Sequence, residues 1–323
     1  MPKNLPLSFV LSFCRDKVPG KGEDSYCHSF CDSAGMLAVF DGCGGAGART
    51  HDYYSGKTEA YMASRLCAGA FYDLFRSHFP GEMSGAQFAQ EVLKPETVAR
   101  LVQYQPPKVE GSIQIRGSMV RTLPSTAAAA IMEPAEDGCV KVTAAWAGDS
   151  RVYVLDQLGL AQLTVDDATV TDPMLNIYED GILKNTFASD RPVKMNVKEV
   201  VVRPPFMVLA ATDGCYGYVT TPMEFEALLL RTLASAKSVS QWEQDLADAI
   251  SSFAGDDHAL VMAAYGYDSF RQVQQSLRPR LEYLWQNYIL PVQDVPADRR
   301  EPRFALWESY RLDYMRYLKD GQN

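Results

Sequence analysis

The run Met36 to Phe40 is apolar throughout and ends on Asp41, followed at once by Gly42, Cys43, Gly44 and Gly45. A short apolar run bounded by a glycine-rich turn predicts a buried strand that delivers one carboxylate at its carboxyl end. Three more acidic sites stand beside predicted strands: Glu23-Asp24, Asp213 after Val208 to Thr212, and Asp256-Asp257 ahead of Ala259 to Tyr265. Acids brought together by a fold repel one another. Scattered carboxylates that meet at strand ends are therefore expected to bind hard cations.

The 323 residues suffice for one large domain or two ordinary ones, and 47% hydrophobic against 22% charged residues is the balance of a globular chain with an ample core. A net charge of −9 argues against nonspecific nucleic-acid binding. No apolar run approaches the roughly 20 residues of a membrane span. The amino-terminal segment reads as a strand with Leu7, Phe9, Leu11 and Phe13 on one face rather than as a signal peptide. Seven cysteines at irregular spacing, with no CxxC pair, suit neither a disulfide framework nor structural zinc. They read as reduced thiols of a cytoplasmic protein.

Two strands are expected in the first 35 residues, then a helix over 58–79 and a second over 84–105. Strands follow at 127–132, 139–147, 151–155, 197–202, 206–211 and 260–265, with helical stretches over 222–253. Residues 164–195 are polar and irregular, which suits a surface flap. The short turn between 139–147 and 151–155 predicts that these two strands pair antiparallel. Helices grouped between sets of strands favour an α+β arrangement over a doubly wound sheet. From residue 268 onward Phe270, Val273, Leu277, Leu281, Leu284 and Tyr288 follow helical spacing, and a second aromatic-rich helix ends the chain. Such faces serve either to pack on the preceding domain or to meet a partner or a second copy. The expected division is thus 1–267 and a helical extension, 268–323.

Two apparent phosphate motifs fail on inspection. Gly42, Gly44 and Gly47 fit GxGxxG, but Asp41 would face a pyrophosphate and no second parallel strand ending in an acid follows. Gly56-Lys57-Thr58 ends like a P-loop, yet His51 stands where its first glycine is required.

Read in order, Glu23-Asp24, Asp41-Gly42, Pro124 to Ala127, Gly148 to Arg151, Asp213-Gly214 and Asp256-Asp257 make a chain that resembles the metal-dependent protein phosphatases of type 2C. That family carries ED, DGHGG, GSTA, GDSR, DG, and DN or DD before a last strand. The resemblance spans about residues 7–266. It implies an antiparallel β-sandwich flanked by helices on both sides, a four-layer αββα fold, with the carboxy-terminal helices added. It also implies hydrolysis of phosphoserine and phosphothreonine in phosphoproteins by a water that two Mg²⁺ or Mn²⁺ ions activate for direct attack. By motif, Asp41 bridges both ions and Gly42 offers its carbonyl. Asp213 and Asp256 hold one ion, and Glu23 and Asp24 order water around the other. Asp149 matches a third, weaker site. The residue chemistry agrees: a dianionic phosphomonoester needs charge neutralisation before water can attack, and oxygen ligands suit these ions.

The chain departs from the pattern at three places. Cys43 replaces the histidine held to protonate the leaving oxygen. It serves as a substitute acid, as a small spacer while a metal-bound water protonates the leaving group, or as a redox-sensitive thiol. The phosphate-binding arginine would fall at Pro19, leaving Lys21 as the nearest candidate. Gly217 stands where a further aspartate often helps hold the third ion. Ser125 and Thr126 read as packing residues, and Arg151 as support for the loop of Asp149. The alternative to an enzyme is a pseudophosphatase that binds a partner through its carboxy-terminal helices.

Overall fold

The computed structural model describes residues 4–78, 84–89, 94–105, 121–179, 181–296 and 299–318. The chain opens with β1 (Leu7–Arg15), β2 (Ser25–Cys31) and β3 (Ala34–Phe40), followed by α1 (Glu59–His78), the single turn α2 (Gly85–Gln87) and α3 (Lys94–Gln103). Then come β4 (Ala127–Pro134), β5 (Val140–Ala147), β6 (Arg151–Asp156), β7 (Gly159–Gln162), β8 (Asn196–Val202) and β9 (Phe206–Ala211). The rest comprises α4 (Pro222–Ser235), α5 (Val239–Ser251), β10 (His258–Tyr265), α6 (Phe270–Leu284) and α7 (Glu301–Tyr314). The helix expected over 84–105 is represented by α2 and α3. Residues 90–93 between them, and Phe79 at the expected end of the first helix, lie outside the described residues.

The strands form two five-stranded sheets, ordered β1-β10-β9-β6-β7 and β2-β3-β4-β5-β8, with antiparallel pairing throughout. Val39, Ala128, Val142, Val154, Val208 and Val261 meet in the core between the sheets. Phe40, Ala63, Phe71 and Phe75 pack α1 on the outer face of the second sheet. Leu11, Phe13, Leu209, Leu230 and Leu246 pack α4 and α5 on the outer face of the first. Each inner strand is covered on both faces, which is why β3 and β9 read as unbroken apolar runs. The result is the expected α+β layering, αββα.

One pairing differs from expectation. β5 and β6 lie in different sheets: β5 pairs with β4 and β8, and β6 with β7 and β9. Both edges of β5 are taken, so the chain turns a corner at Gly148 and crosses to the other sheet. Gly148 has φ +101°, and a Cβ there would lie 2.8 Å from Thr126 Cβ. Only glycine makes this crossing without strain. The corner leaves Asp149 at the junction of the two sheets.

The carboxy-terminal helices share the core of the first sheet. Val273, Leu277 and Leu284 of α6, with Trp307, Tyr310 and Tyr314 of α7, are buried in one cluster with Tyr153 and Leu155 of β6. The apolar stripes visible in the sequence are thus occupied within the chain.

Candidate active site

Three loops interlock around the end of β3. The Asp41 amide donates to Thr126 Oγ1 at 3.2 Å. Its carbonyl accepts from Ser125 Oγ at 3.0 Å and from the Thr126 amide at 2.8 Å. Cys43 N–H donates to the Pro124 carbonyl at 3.2 Å, and Thr126 Oγ1 and Ser150 Oγ lie 2.7 Å apart. Ser125 and Thr126 therefore do more than pack: they fix the backbone that carries Asp41 and join it to the corner that carries Asp149. Gly42 is required by contact, since a Cβ there would lie 2.4 Å from the Ala60 carbonyl oxygen.

The other acids arrive on equally constrained turns. Asp213 opens a 3₁₀ turn (Asp213–Cys215) directly after β9. A Cβ on Gly214 would lie 1.9 Å from the Asp257 carbonyl oxygen, so the Asp213 and Asp257 turns meet backbone to backbone. Asp257 accepts from the amides of Lys17 at 2.7 Å and Glu23 at 2.8 Å. Both its oxygens are thereby committed to holding the loop of Glu23-Asp24. Asp256 spends only one oxygen, on the Asp257 amide at 2.8 Å. This division of labour makes Asp256 the better ligand candidate of the pair. Glu23 accepts from the Thr58 hydroxyl, and its Oε2 lies where a Cβ on Gly44 would stand. Arg65, stacked 3.6 Å over Tyr61, donates to the Gly22 and Glu23 carbonyls, each at 3.1 Å.

These acids feel one another. Burial, then Asp213, Asp24, Asp149 and Asp256, hold the Asp41 carboxyl well above its usual range. Asp24 is raised likewise, chiefly by burial and then, against the help of the Thr212 hydroxyl, by Asp213, Asp257 and Asp256. Asp149 is pushed up to about 8 by burial and by Asp213 and Asp166, and Asp213 to about 6 by burial and Asp256. Asp24 Oδ2 and Asp149 Oδ1 are buried without a hydrogen-bond partner among the described residues. Hard anionic oxygens with unmet bonding fit Mg²⁺ or Mn²⁺ in type. As the side chains stand, no three of the acids among the described residues are gathered closely enough to hold an ion, so closing a shell requires side-chain rotation.

A carboxyl raised above its unfolded pKa leaves the native state binding more protons between the two values, so stability falls as pH rises through that window. Asp149 spans 3.8 to about 8 and Asp213 3.8 to about 6. His28 and His258 act in the opposite sense, but their pKa values lie below 6.5, where burial has lowered them. Asp213 has titrated below this range, so Asp149 carries the effect, and in EDTA the melting temperature is expected to drop by about 3 °C between pH 6.5 and 8.5. Saturating Mn²⁺ should remove at least half of that drop, because cations displace the extra protons. A flat profile in EDTA would show that the acids do not share one field.

Asp149 borders a cleft of about 300 Å³ with Arg151, Asp166, Asn176, Asp213 and Gly217. Arg151, 3% exposed, donates to both oxygens of Asp166 at 2.9 and 2.7 Å. It also stacks 4.1 Å over Tyr216, whose hydroxyl donates to the Asp149 carbonyl at 2.6 Å. Arg151 thus ties the Asp149 corner to the flap. The flap in turn rests on α7: Trp307 Nε1 donates to Asp172 at 3.3 Å, and Tyr178 stands 5.8 Å from Phe304 with Arg300 4.4 Å over its ring. Asp166, Asp172, Tyr178 and Tyr216 carry no motif, and sequence reading passes over them. The one available signal was that a buried Arg151 needs an acid.

Cys43 is half-buried beside the cluster. Burial, with Asp41, Asp149 and Asp213, pushes its thiol up. All seven cysteines are free. Lys21 sits in an exposed turn, its amide donating to Val18 at 2.9 Å. Among the described residues no helix is long and apolar enough to cross a membrane.

By sequence the chain matches no family model and no curated protein. By structure it is similar to serine/threonine phosphatases of bacteria. The phosphatase Stp1 of Staphylococcus aureus shares 17% identity at a TM-score of 0.58, over 83% of this chain and 98% of that one. The Mycobacterium tuberculosis phosphatase PstP shares 18% at 0.55, over 80% and 99%. The catalytic domain of PstP, in complex with two manganese ions, shares 18% at 0.52, over 79% and 97%. At such identities the likeness is one of fold.

Proposed function

We propose that the chain is a metal-dependent phosphatase of phosphoserine and phosphothreonine in proteins, in which water attacks phosphorus directly. The observation that carries this reading is the convergence of Asp24, Asp41, Asp149, Asp213 and Asp256, mutually destabilised and partly unpartnered, on a fold shared with serine/threonine phosphatases. Asp41, the Gly42 carbonyl, Asp213 and Asp256 would hold two divalent cations, with Glu23 and Asp24 binding through water. When bound, these ions neutralise the phosphomonoester and acidify water.

The remaining roles belong to the chain itself. Asp257 holds the Glu23-Asp24 loop by its two amide contacts. Ser125 and Thr126 keep the Asp41 backbone fixed, so its carboxylate is aimed before substrate arrives. Lys21, the candidate phosphate-binding residue, would supply a point charge rather than the fork of an arginine. Cys43, beside the cluster, is the residue that would take the place of the family's acid. A third ion at Asp149 would have Gly217 in place of a carboxylate, and Asp166 is committed to Arg151, so that site is the weakest of the three.

The test is release of phosphate from a phosphothreonine peptide with Mn²⁺, Mg²⁺ or EDTA. Turnover that requires metal and exceeds that on a small phosphomonoester supports the reading. A folded protein that turns over neither substrate with either ion would overturn it, and a binding protein built on a phosphatase fold would take its place.

A further inference from the structure

Away from the acids, a larger hollow of about 600 Å³ lies between α4, the loop that follows Asp213 and the segment after α6. Tyr218, Val219, Leu228, Phe253, Trp285 and Ile289 form its walls. Its volume falls in the range of small-molecule sites, about 300–1,000 Å³.

Three observations separate it from a packing gap. One wall is a π turn, Trp285–Ile289, that continues α6; such turns depart from regular helical bonding and are frequent at functional sites. The charge balance is also one-sided. Arg303 is 5% exposed. Its terminal nitrogens donate to the carbonyls of Pro296, Arg299 and Val295 at 2.7–3.0 Å, whereas its Nε is buried with no partner among the described residues. Arg231 lies 5.7 Å from the Trp285 ring, and among the described residues it has no carboxylate partner. The one acid of the lining, Glu224, is already satisfied by the Thr220 amide at 2.8 Å and hydroxyl at 2.6 Å. Finally, Tyr218 to Thr220 belong to the loop that starts at Asp213, where Gly217 N–H donates to the Asp213 carbonyl at 2.6 Å.

We propose that this groove binds a small amphipathic monoanion, an aromatic carboxylate, with its flat body against Trp285 and its charge toward the exposed Arg231. A monoanion suits the one exposed guanidinium of the lining, that of Arg231. A dianion beside Glu224 would be desolvated with too few donors. Because Tyr218 to Thr220 share a loop with Asp213, occupancy would bear on the position of that acid.

The test uses the full chain, 1-naphthylacetate as probe and its neutral amide, 1-naphthylacetamide, as control, with no turnover in the readout. Trp285 is the reporter: it is partly exposed, while Trp146, Trp242 and Trp307 are buried. The acid is expected to quench its emission saturably, with a dissociation constant below about 1 mM. The signal should vanish in Trp285→Phe, while calorimetry on that variant still reports binding. Affinity should fall at least fivefold for the amide and for Arg231→Gln, a surface change that spares the tether made by Arg303. Equal affinity for acid and amide would overturn the anion assignment. A titration that never saturates would overturn the site. Self-association that the probe competes away would assign the groove to a second copy of the chain instead.

Discussion

Replacing Asp41 by asparagine is expected to reduce hydrolysis of a phosphothreonine peptide at least a thousand-fold and, in EDTA, to raise the melting temperature. The first effect corresponds to about 4 kcal/mol of lost transition-state stabilisation. It follows from removing the carboxylate that the proposed site places between both cations. The second follows from electrostatics alone. Asp41 is half-buried beside Asp213, Asp24, Asp149 and Asp256, and an uncharged isostere relieves every one of those repulsions. The loop itself should survive, because Ser125 and Thr126 hold Asp41 by its amide and carbonyl rather than by its side chain. Activity and stability therefore move in opposite directions, a combination that misfolding cannot produce. A variant that keeps a tenth of its activity with Mn²⁺ would remove Asp41 from the centre of the proposed site. A variant that melts lower in EDTA would remove the shared field.

Much of this centre was legible because each acid lies within a residue or two of a strand, and strands with their turns are local patterns. Asp41, Asp213 and Asp256 could be found from the apolar runs beside them. The partners of those acids could not. Ser125 and Thr126 bond to Asp41 across 84 and 85 positions, and Asp257 to Lys17 across 240; no local signal carries such a pairing. The corner at Gly148 misled for a related reason. A tight glycine turn serves a hairpin and a sheet-to-sheet crossing alike, and the choice is made by which strand edges remain open. At four residues, β7 is too short for alternation to show. The tail shows the same boundary from the other side: helical periodicity says that a face will be buried, and is silent on what will cover it.

What covers it is settled most sharply by one buried ion pair, and the second large effect is expected there. Arg280 of α6 is 6% exposed and Glu226 of α4 is fully buried. Their side chains meet in a double contact at 2.6 and 3.0 Å, and the Tyr310 hydroxyl of α7 donates to the same carboxylate. Three helices, one from the body of the fold and two from the extension, thus share a single charge. Burial disfavours the charged guanidinium, and the Glu226 carboxylate more than reverses that, raising the Arg280 pKa. Glu226→Leu leaves the cation and the phenol without their acceptor, and a loss of about 3–5 kcal/mol is expected from urea unfolding. Converting the pair together, Glu226→Leu with Arg280→Met, should recover more than half of that loss, since an apolar replacement of both partners removes the desolvation penalty with the attraction. If the single change instead costs less than about 1 kcal/mol, as an exposed pair would, the extension is held by its apolar face alone. If it releases α6 and α7, the flap should loosen with them, because Trp307 and Phe304 are what Asp172 and Tyr178 rest on. Proteolysis would then appear within residues 164–179 as well as in the tail, and that joint susceptibility would place the extension among the parts that hold the acidic cleft in shape.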